Sequence, residues 1–132
     1  SFDLPGDYKR PAIFTFAGNS YRFHLTGEEV GQFKGLCRQS GGTLYMNLLA
    51  ALNTLFYKYT GQEDIIIGSG IAGRRHANLQ GIVGIFVNTL AMRNYPQAEM
   101  PYDIFLKEVI GNSVKAFENQ DVQFEDLVEK VD

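Results

Sequence analysis

Gly68-Ser69-Gly70-Ile71-Ala72-Gly73 follows a β-branched run and has the G-x-G-x-x-G spacing of a dinucleotide-binding turn. That chemistry needs the third glycine inside a helix whose N-terminus faces a pyrophosphate. Arg74-Arg75-His76-Ala77-Asn78 follows instead, with no apolar stripe of helical period before Gly81 and Gly84 interrupt it. No acidic residue stands about 20 positions on, where a ribose would need one. The glycines therefore read as a strand-to-loop turn. His24 and His76 are the only histidines. The first lies within an alternating segment. The second sits beside two arginines, in a loop that could meet an anionic group. Cys37 falls on an apolar helical stripe, the setting of an inert core thiol. No Ser/His/Asp arrangement, paired-histidine ligand spacing or Gly-Lys-Ser/Thr phosphate loop occurs, so neither a catalytic residue nor a metal site is assigned. Asn88 carries the most information, because it interrupts an apolar strand face between Phe86 and Leu90. A buried amide must find hydrogen-bond partners. Two readings stay open: a bond across the sheet to neighbouring backbone, or a polar group directed into a cleft.

The elements that must position these residues follow from periodicity. Residues 1–19, with Pro5, Gly6, Pro11, Gly18 and Asn19, read as an extended connector. Tyr21-Arg22-Phe23-His24-Leu25 alternates apolar and polar, which predicts a half-buried strand. Thr26-Gly27-Glu28-Glu29 has the form of a capping box, and Val30, Phe33, Leu36 and Cys37 follow at helical spacing. Gly41-Gly42 breaks that helix, and Thr43 caps a second one running to about Tyr59. Leu44, Leu48, Ala51, Leu52, Leu55 and Tyr59 make one stripe, and other apolar residues fill much of the remaining circumference, so burial on several sides is expected. Asp64-Ile65-Ile66-Ile67 predicts a strand covered on both faces. A second strand is expected over residues 82–93, with Phe86, Asn88, Leu90 and Met92 on one face. Pro101 opens a helix with Leu106, Val109, Ile110, Val114 and Phe117 inward and Lys107, Glu108, Asn112 and Lys115 outward. A short last helix starts at Phe124. The fold class is α/β, a layered sheet with helices in the order β-α-α-β-β-α-α.

Composition narrows the function classes. The chain has 132 residues, enough for one core. Its 12 Lys+Arg and 15 Asp+Glu give a net charge of −3. Three arginines and no acid occur over residues 72–93, whereas residues 99–132 hold nine acids and three lysines. There is no basic run interleaved with aromatics, so a nucleic-acid partner is not expected. The longest apolar run, Leu48 to Leu52, is five residues, against the ~20 of a membrane helix. No secretory leader is visible, and a single cysteine fits a reducing, cytoplasmic compartment. Three strands with four helices leave exposed sheet edges, and the first helix pair is more apolar than a thin sheet requires. The chain reads as part of a larger layered structure.

Gly84-Ile85-Phe86-Val87-Asn88-Thr89-Leu90-Ala91-Met92-Arg93 resembles the fifth core motif of condensation domains in nonribosomal peptide synthetases, and Asn119-Gln120-Asp121-Val122-Gln123-Phe124-Glu125 resembles the sixth. Tyr59-Thr60-Gly61-Gln62-Glu63-Asp64-Ile65 and Gly68-Ser69-Gly70-Ile71-Ala72-Gly73-Arg74 are similar to the segment preceding the fifth motif. Leu4-Pro5-Gly6-Asp7 with Arg10-Pro11 is similar to the stretch joining the family's two lobes. Gly70 and Gln123 stand where proline is usual, and Asn78 and Gln80 where acids are common. The family's His-His-x-x-x-Asp-Gly signature is absent from this chain.

The resemblance implies a connector from the N-terminal lobe over residues 1–19 and a partial C-terminal lobe over residues 20–132, within a chloramphenicol-acetyltransferase-like two-lobed domain whose active site lies in a tunnel between lobes. It implies peptide-bond formation between carrier-bound thioesters by the whole domain, with phosphopantetheine arms bringing the substrates and no cofactor bound directly. Carrier proteins, the N-terminal lobe and neighbouring adenylation domains are the implied partners. Self-association through an exposed lobe face is also expected. Asn88, Phe86, Thr89 and Arg74 are the tunnel candidates. The competing expectations are a stand-alone lobe that binds a carrier or complementary lobe, and a small CoA-dependent acyltransferase using His24 or His76.

Overall fold

A computed structural model describes residues 4–9, 12, 13, 15, 16 and 18–131. Arg10 and Pro11 of the expected lobe-joining stretch lie outside them. Helix α1 (Gly27–Ser40) begins where the capping box places it. The Glu29 backbone N–H donates to Thr26 Oγ1 at 3.3 Å, and the Thr26 backbone N–H donates to Glu29 Oε2 at 2.7 Å. The Thr26 backbone N–H, and the Thr26 hydroxyl donating to the same oxygen at 2.8 Å, hold the Glu29 carboxyl below its ordinary titration range. Gly41 ends the helix in the left-handed region, at φ 71°. Helix α2 (Leu44–Thr60) starts at Thr43, whose Oγ1 accepts from the Met46 N–H at 3.3 Å.

Helix α2 buries Met46, Asn47, Leu49, Ala50 and Asn53. The stripe expected to be buried, from Leu44 through Leu48 and Leu55 to Tyr59, is the open one. Two apolar stripes compete on this helix, and the inner one is disguised by its two asparagines. Each turns its Nδ2 back onto the preceding turn, Asn47 to the Thr43 carbonyl at 2.9 Å and Asn53 to the Leu49 carbonyl at 2.7 Å. Those bonds satisfy the two amide nitrogens, whereas Oδ1 of each asparagine is buried without a hydrogen-bond partner among the described residues.

Strand β1 (Ile65–Ile71) pairs antiparallel with β2 (Asn88–Asn94), from Ile65 opposite Asn94 to Ile71 opposite Asn88. Asn88, Leu90, Met92 and Asn94 are buried, which is the phase expected for that face. On the other face Ile66 and Arg93 are exposed, so β1 is covered on one side and not on both. Gly68, Ser69 and Gly70 extend the strand instead of turning, because an exposed face without side chains to pack accepts glycine. Residues 82–87 do not join β2; Val83 and Ile85 stand fully exposed. Tyr21-Arg22-Phe23-His24-Leu25 pairs with no strand among the described residues. Its alternation still shows in the Tyr21 and Phe23 rings, stacked at 6.3 Å. A strand needs a non-local partner that periodicity alone does not supply.

Helix α3 (Tyr102–Glu118) presses Phe105, Leu106 and Val109 onto Leu49, Ala50, Leu90 and Met92 to make the core. Its inner stripe is rotated from the expected one. Ser113 is buried, its Oγ donating to the Val109 carbonyl at 2.7 Å, whereas Val114 is exposed. Asn112, expected outward, donates to Asn94 Oδ1 at 3.3 Å. Helix α4 (Phe124–Val131) packs on β2. The α/β class therefore holds, with four α-helices and a two-stranded sheet among the described residues.

At the sheet end remote from the 72–87 connection, Arg93 grips Asp64 with two bonds, Nε to Oδ1 at 2.8 Å and Nη2 to Oδ2 at 2.6 Å. The hydrogen bonds from Arg93 hold the Asp64 carboxyl below its ordinary value of 3.8. A depressed carboxylate stabilises the fold above that ordinary value and loses its effect as pH falls through the lower folded one. Titration of the Asp64 carboxyl carbon should give a midpoint below 3.8, returning toward 3.8 in Arg93→Gln. An identical midpoint in both proteins would show that the grip does not form.

Candidate functional site

Three segments meet at one corner: the end of β1, the entry to β2 and the α3–α4 connection. Asn88 joins the last two. Its side chain is 7% exposed, and Nδ2 donates to the Gln120 carbonyl at 3.0 Å and the Val122 carbonyl at 2.8 Å. Oδ1 accepts the Phe124 backbone N–H at 3.3 Å and the Thr89 backbone N–H at 2.8 Å. Both donors and the acceptor are thus occupied within the chain. The partners are not across the sheet but in a loop more than thirty residues away. One amide here does what several loop–strand contacts would otherwise do.

Gly73 and Arg74 join the first two segments. Gly73 has φ 64°, and a Cβ there would overlap the Phe86 carbonyl oxygen, so no other residue permits this approach. Arg74 lies with its guanidinium carbon 4.2 Å from the Phe86 ring centroid, within cation–π range. The same guanidinium donates to the carbonyls of Leu79, Ile82 (3.0 Å) and Gly84 (3.1 Å). Arg75 closes the circuit to the third segment through Asp121, Nη1 to Oδ2 at 2.6 Å. Gly73, Phe86, Val87, Asn88, Gln120 and Asp121 are among the residues lining a cleft of about 210 Å³ at this corner.

Of the four tunnel candidates, Asn88, Phe86 and Arg74 come together here. Thr89 belongs to the opposite face of the sheet, across from Gly70. Gly73 and Arg75 enter the sequence reading only within the glycine run and the Arg74-Arg75-His76 loop, and Asp121 only within the second motif, none with this joining role. A glycine closing the run after a strand, and an acid inside the second motif, were the only signals available. His24 and His76 are both exposed, and no cluster of three or more His, Cys, Asp or Glu side chains among the described residues could hold a metal ion.

A family model for the condensation domain matches residues 1–132. The chain belongs to the condensation-domain family. It is 49% identical over 130 residues to bacitracin synthase 3 of Bacillus licheniformis, covering 98% of this chain and 2% of the relative. It is also 49% identical over 129 residues to tyrocidine synthase 3 of Brevibacillus parabrevis, again covering 98% and 2%. The chain thus spans a small fraction of the length of these relatives. A four-domain nonribosomal peptide synthetase bound to AMP and glycine superposes with a TM-score of 0.90 at 26% identity, over 96% of this chain and 10% of that one. The first condensation domain of the calcium-dependent antibiotic synthetase, in complex with a substrate analogue, shares the fold with a TM-score of 0.70. That match, at 17% identity, covers 76% of this chain and 22% of the other. In condensation-domain terms, Asn88 stands in the fifth motif and its partners Gln120, Val122 and Phe124 in the sixth.

Asn88→Ala leaves two part-buried carbonyls and two N–H groups short of a partner. It should lower stability by about 2 kcal/mol or more, read as a shift in the urea midpoint. Asn88→Asp, which points carboxylate oxygens at the same two carbonyls, should do no better. A shift below about 0.5 kcal/mol in both would show that the amide is not holding the corner.

Proposed function

We propose that these residues form one lobe of a condensation domain that makes peptide bonds between thioesters carried on phosphopantetheine arms. In that reaction the acceptor's amine nitrogen attacks the donor's thioester carbonyl. The new C–N bond forms, the C–S bond breaks, and the carrier thiol leaves with the proton that the amine loses. The observation carrying the reading is the junction at Asn88. Residues of two motifs far apart in sequence are joined through one buried amide, beside an open cleft. Asn88, Phe86, Thr89 and Arg74 belong to the tunnel wall in this reading. Asn88 acts by holding the wall and not by touching substrate, since its donors are both taken inside the chain.

The group that assists the proton transfer belongs to the other lobe. His24 and His76 are exposed and neither carries a hydrogen bond or ion pair to an acid among the described residues, which disfavours a self-sufficient acyltransferase. Carrier proteins, the complementary lobe and adenylation domains are the partners. No helix among the described residues is long and apolar enough to cross a membrane, and the lone cysteine suits a cytoplasmic setting. Tyr21, Phe23, Val83 and Ile85 lie more than two-thirds exposed, so the lobe alone should self-associate through this apolar surface.

Peptide-bond formation from loaded carriers tests the reading. The 132-residue chain alone should give no product above the uncatalysed rate. A complete domain containing it should turn over, and Asn88→Ala should lower turnover per folded molecule by on the order of 10- to 100-fold. Product from the isolated chain, or full turnover with Asn88→Ala, would contradict it.

A further inference from the structure

Between Gly73 and β2 the chain runs for fourteen residues with only a 3-10 turn, Ala77–Leu79, for regular structure. Backbone turns alone do not hold so long a connection. Its internal backbone bonds are three: the N–H groups of Leu79, Gln80 and Ile82 donate to the carbonyls of His76, Ala77 and Leu79. What gathers residues 79–86 is a single side chain. The Arg74 guanidinium donates to three of their carbonyls and is roofed by the Phe86 ring. A planar fork with five donors can meet several carbonyls at once while its face stays free to stack, which an ammonium cannot do.

The consequence is directional. With Gly84 bonded inward and Phe86 stacked inward, Val83, Ile85 and Val87 project outward in a period-two row, all more than two-thirds exposed. The next inward residue after Phe86 is Asn88 itself. We propose that Arg74 is a positioning residue for the condensation reaction. It shapes residues 79–87 into an extended ledge and so fixes how the strand enters at Asn88. It touches no substrate. This rests on the reading of the lobe as a tunnel wall. It goes beyond that reading in assigning the wall's shape to one guanidinium.

The test uses the complete condensation domain with Arg74→Ala, Arg74→Lys and Asn88→Ala. Hydrogen exchange over residues 79–87 should speed up in Arg74→Ala, while residues 102–118 of α3 keep their protection. Turnover per folded molecule should fall on the order of 10-fold, as expected for a misplaced wall, with KM for both loaded carriers unchanged. Arg74→Lys should restore neither, because a lysine keeps the charge and loses the fork. Unchanged exchange in Arg74→Ala, or full rescue by lysine, overturns the inference. A loosened ledge with undiminished turnover also overturns it. The tunnel reading survives those results if Asn88→Ala still loses activity. Full activity in Asn88→Ala contradicts the tunnel reading itself and, with it, the route from Arg74 through the strand entry at Asn88.

Discussion

An amide taken out of water must replace every hydrogen bond it gives up, or the fold loses 1–3 kcal/mol for each unmet group. Asn88 meets this requirement chiefly with partners from a segment more than thirty residues away, which the Arg75–Asp121 pair and the packing of α4 on β2 also hold in place. The carbonyls of Gln120 and Val122 and the N–H of Phe124 belong to a turn between two helices, and Asn88 bonds that turn to the strand. The direction of α4 depends on it, because Phe124 is that helix's first residue. The entry of β2 depends on it too, through the Thr89 N–H.

Around this amide the corner is closed by contacts of different kinds. Gly73 contributes the absence of a side chain, Arg74 a guanidinium that gathers carbonyls and stacks on Phe86, and Arg75 an exposed ion pair to Asp121. The ion pair is solvent-screened and adds orientation more than energy. The glycine and the amide are the parts without substitutes. At the far end of the sheet Asp64 and Arg93 do the corresponding job with charge. Strand β2 is thus tied at both ends, to the turn at 120–124 by an amide at one and to Asp64 by an ion pair at the other.

Local features were legible in the amino-acid order. The Thr26–Glu29 box, the Thr43 cap and the inward phase of Asn88, Leu90 and Met92 all depend on residues within one or two turns of each other. What could not be read was any choice settled by distant partners. The outer stripe of α2 is the more apolar one, and contact with α3 and the sheet still turns Met46, Leu49 and Ala50 inward. Asn47 and Asn53 enter the core with their amide nitrogens bonded to the carbonyls of Thr43 and Leu49, and Asn47 also reaches Cys37 Sγ of α1. The 21–25 segment has a strand's pattern without a strand's neighbour. At the site, the pattern marked Asn88 as unusual and left two readings open. Its partners lie 32 to 36 residues ahead, beyond any local rule. Arg74 and Phe86 were named separately, and nothing in their spacing announced that one would stack on the other.

The central claim is that the Asn88 side chain physically joins the two motifs. Scalar couplings transmitted through hydrogen bonds, measured by NMR from Asn88 Nδ2 to the carbonyl carbons of Gln120 and Val122, test it most directly. The account predicts resolvable couplings to both carbonyls and slow exchange of the side-chain amide protons. An Asn88 amide that exchanges like a solvated asparagine, with no coupling to either carbonyl, would contradict it.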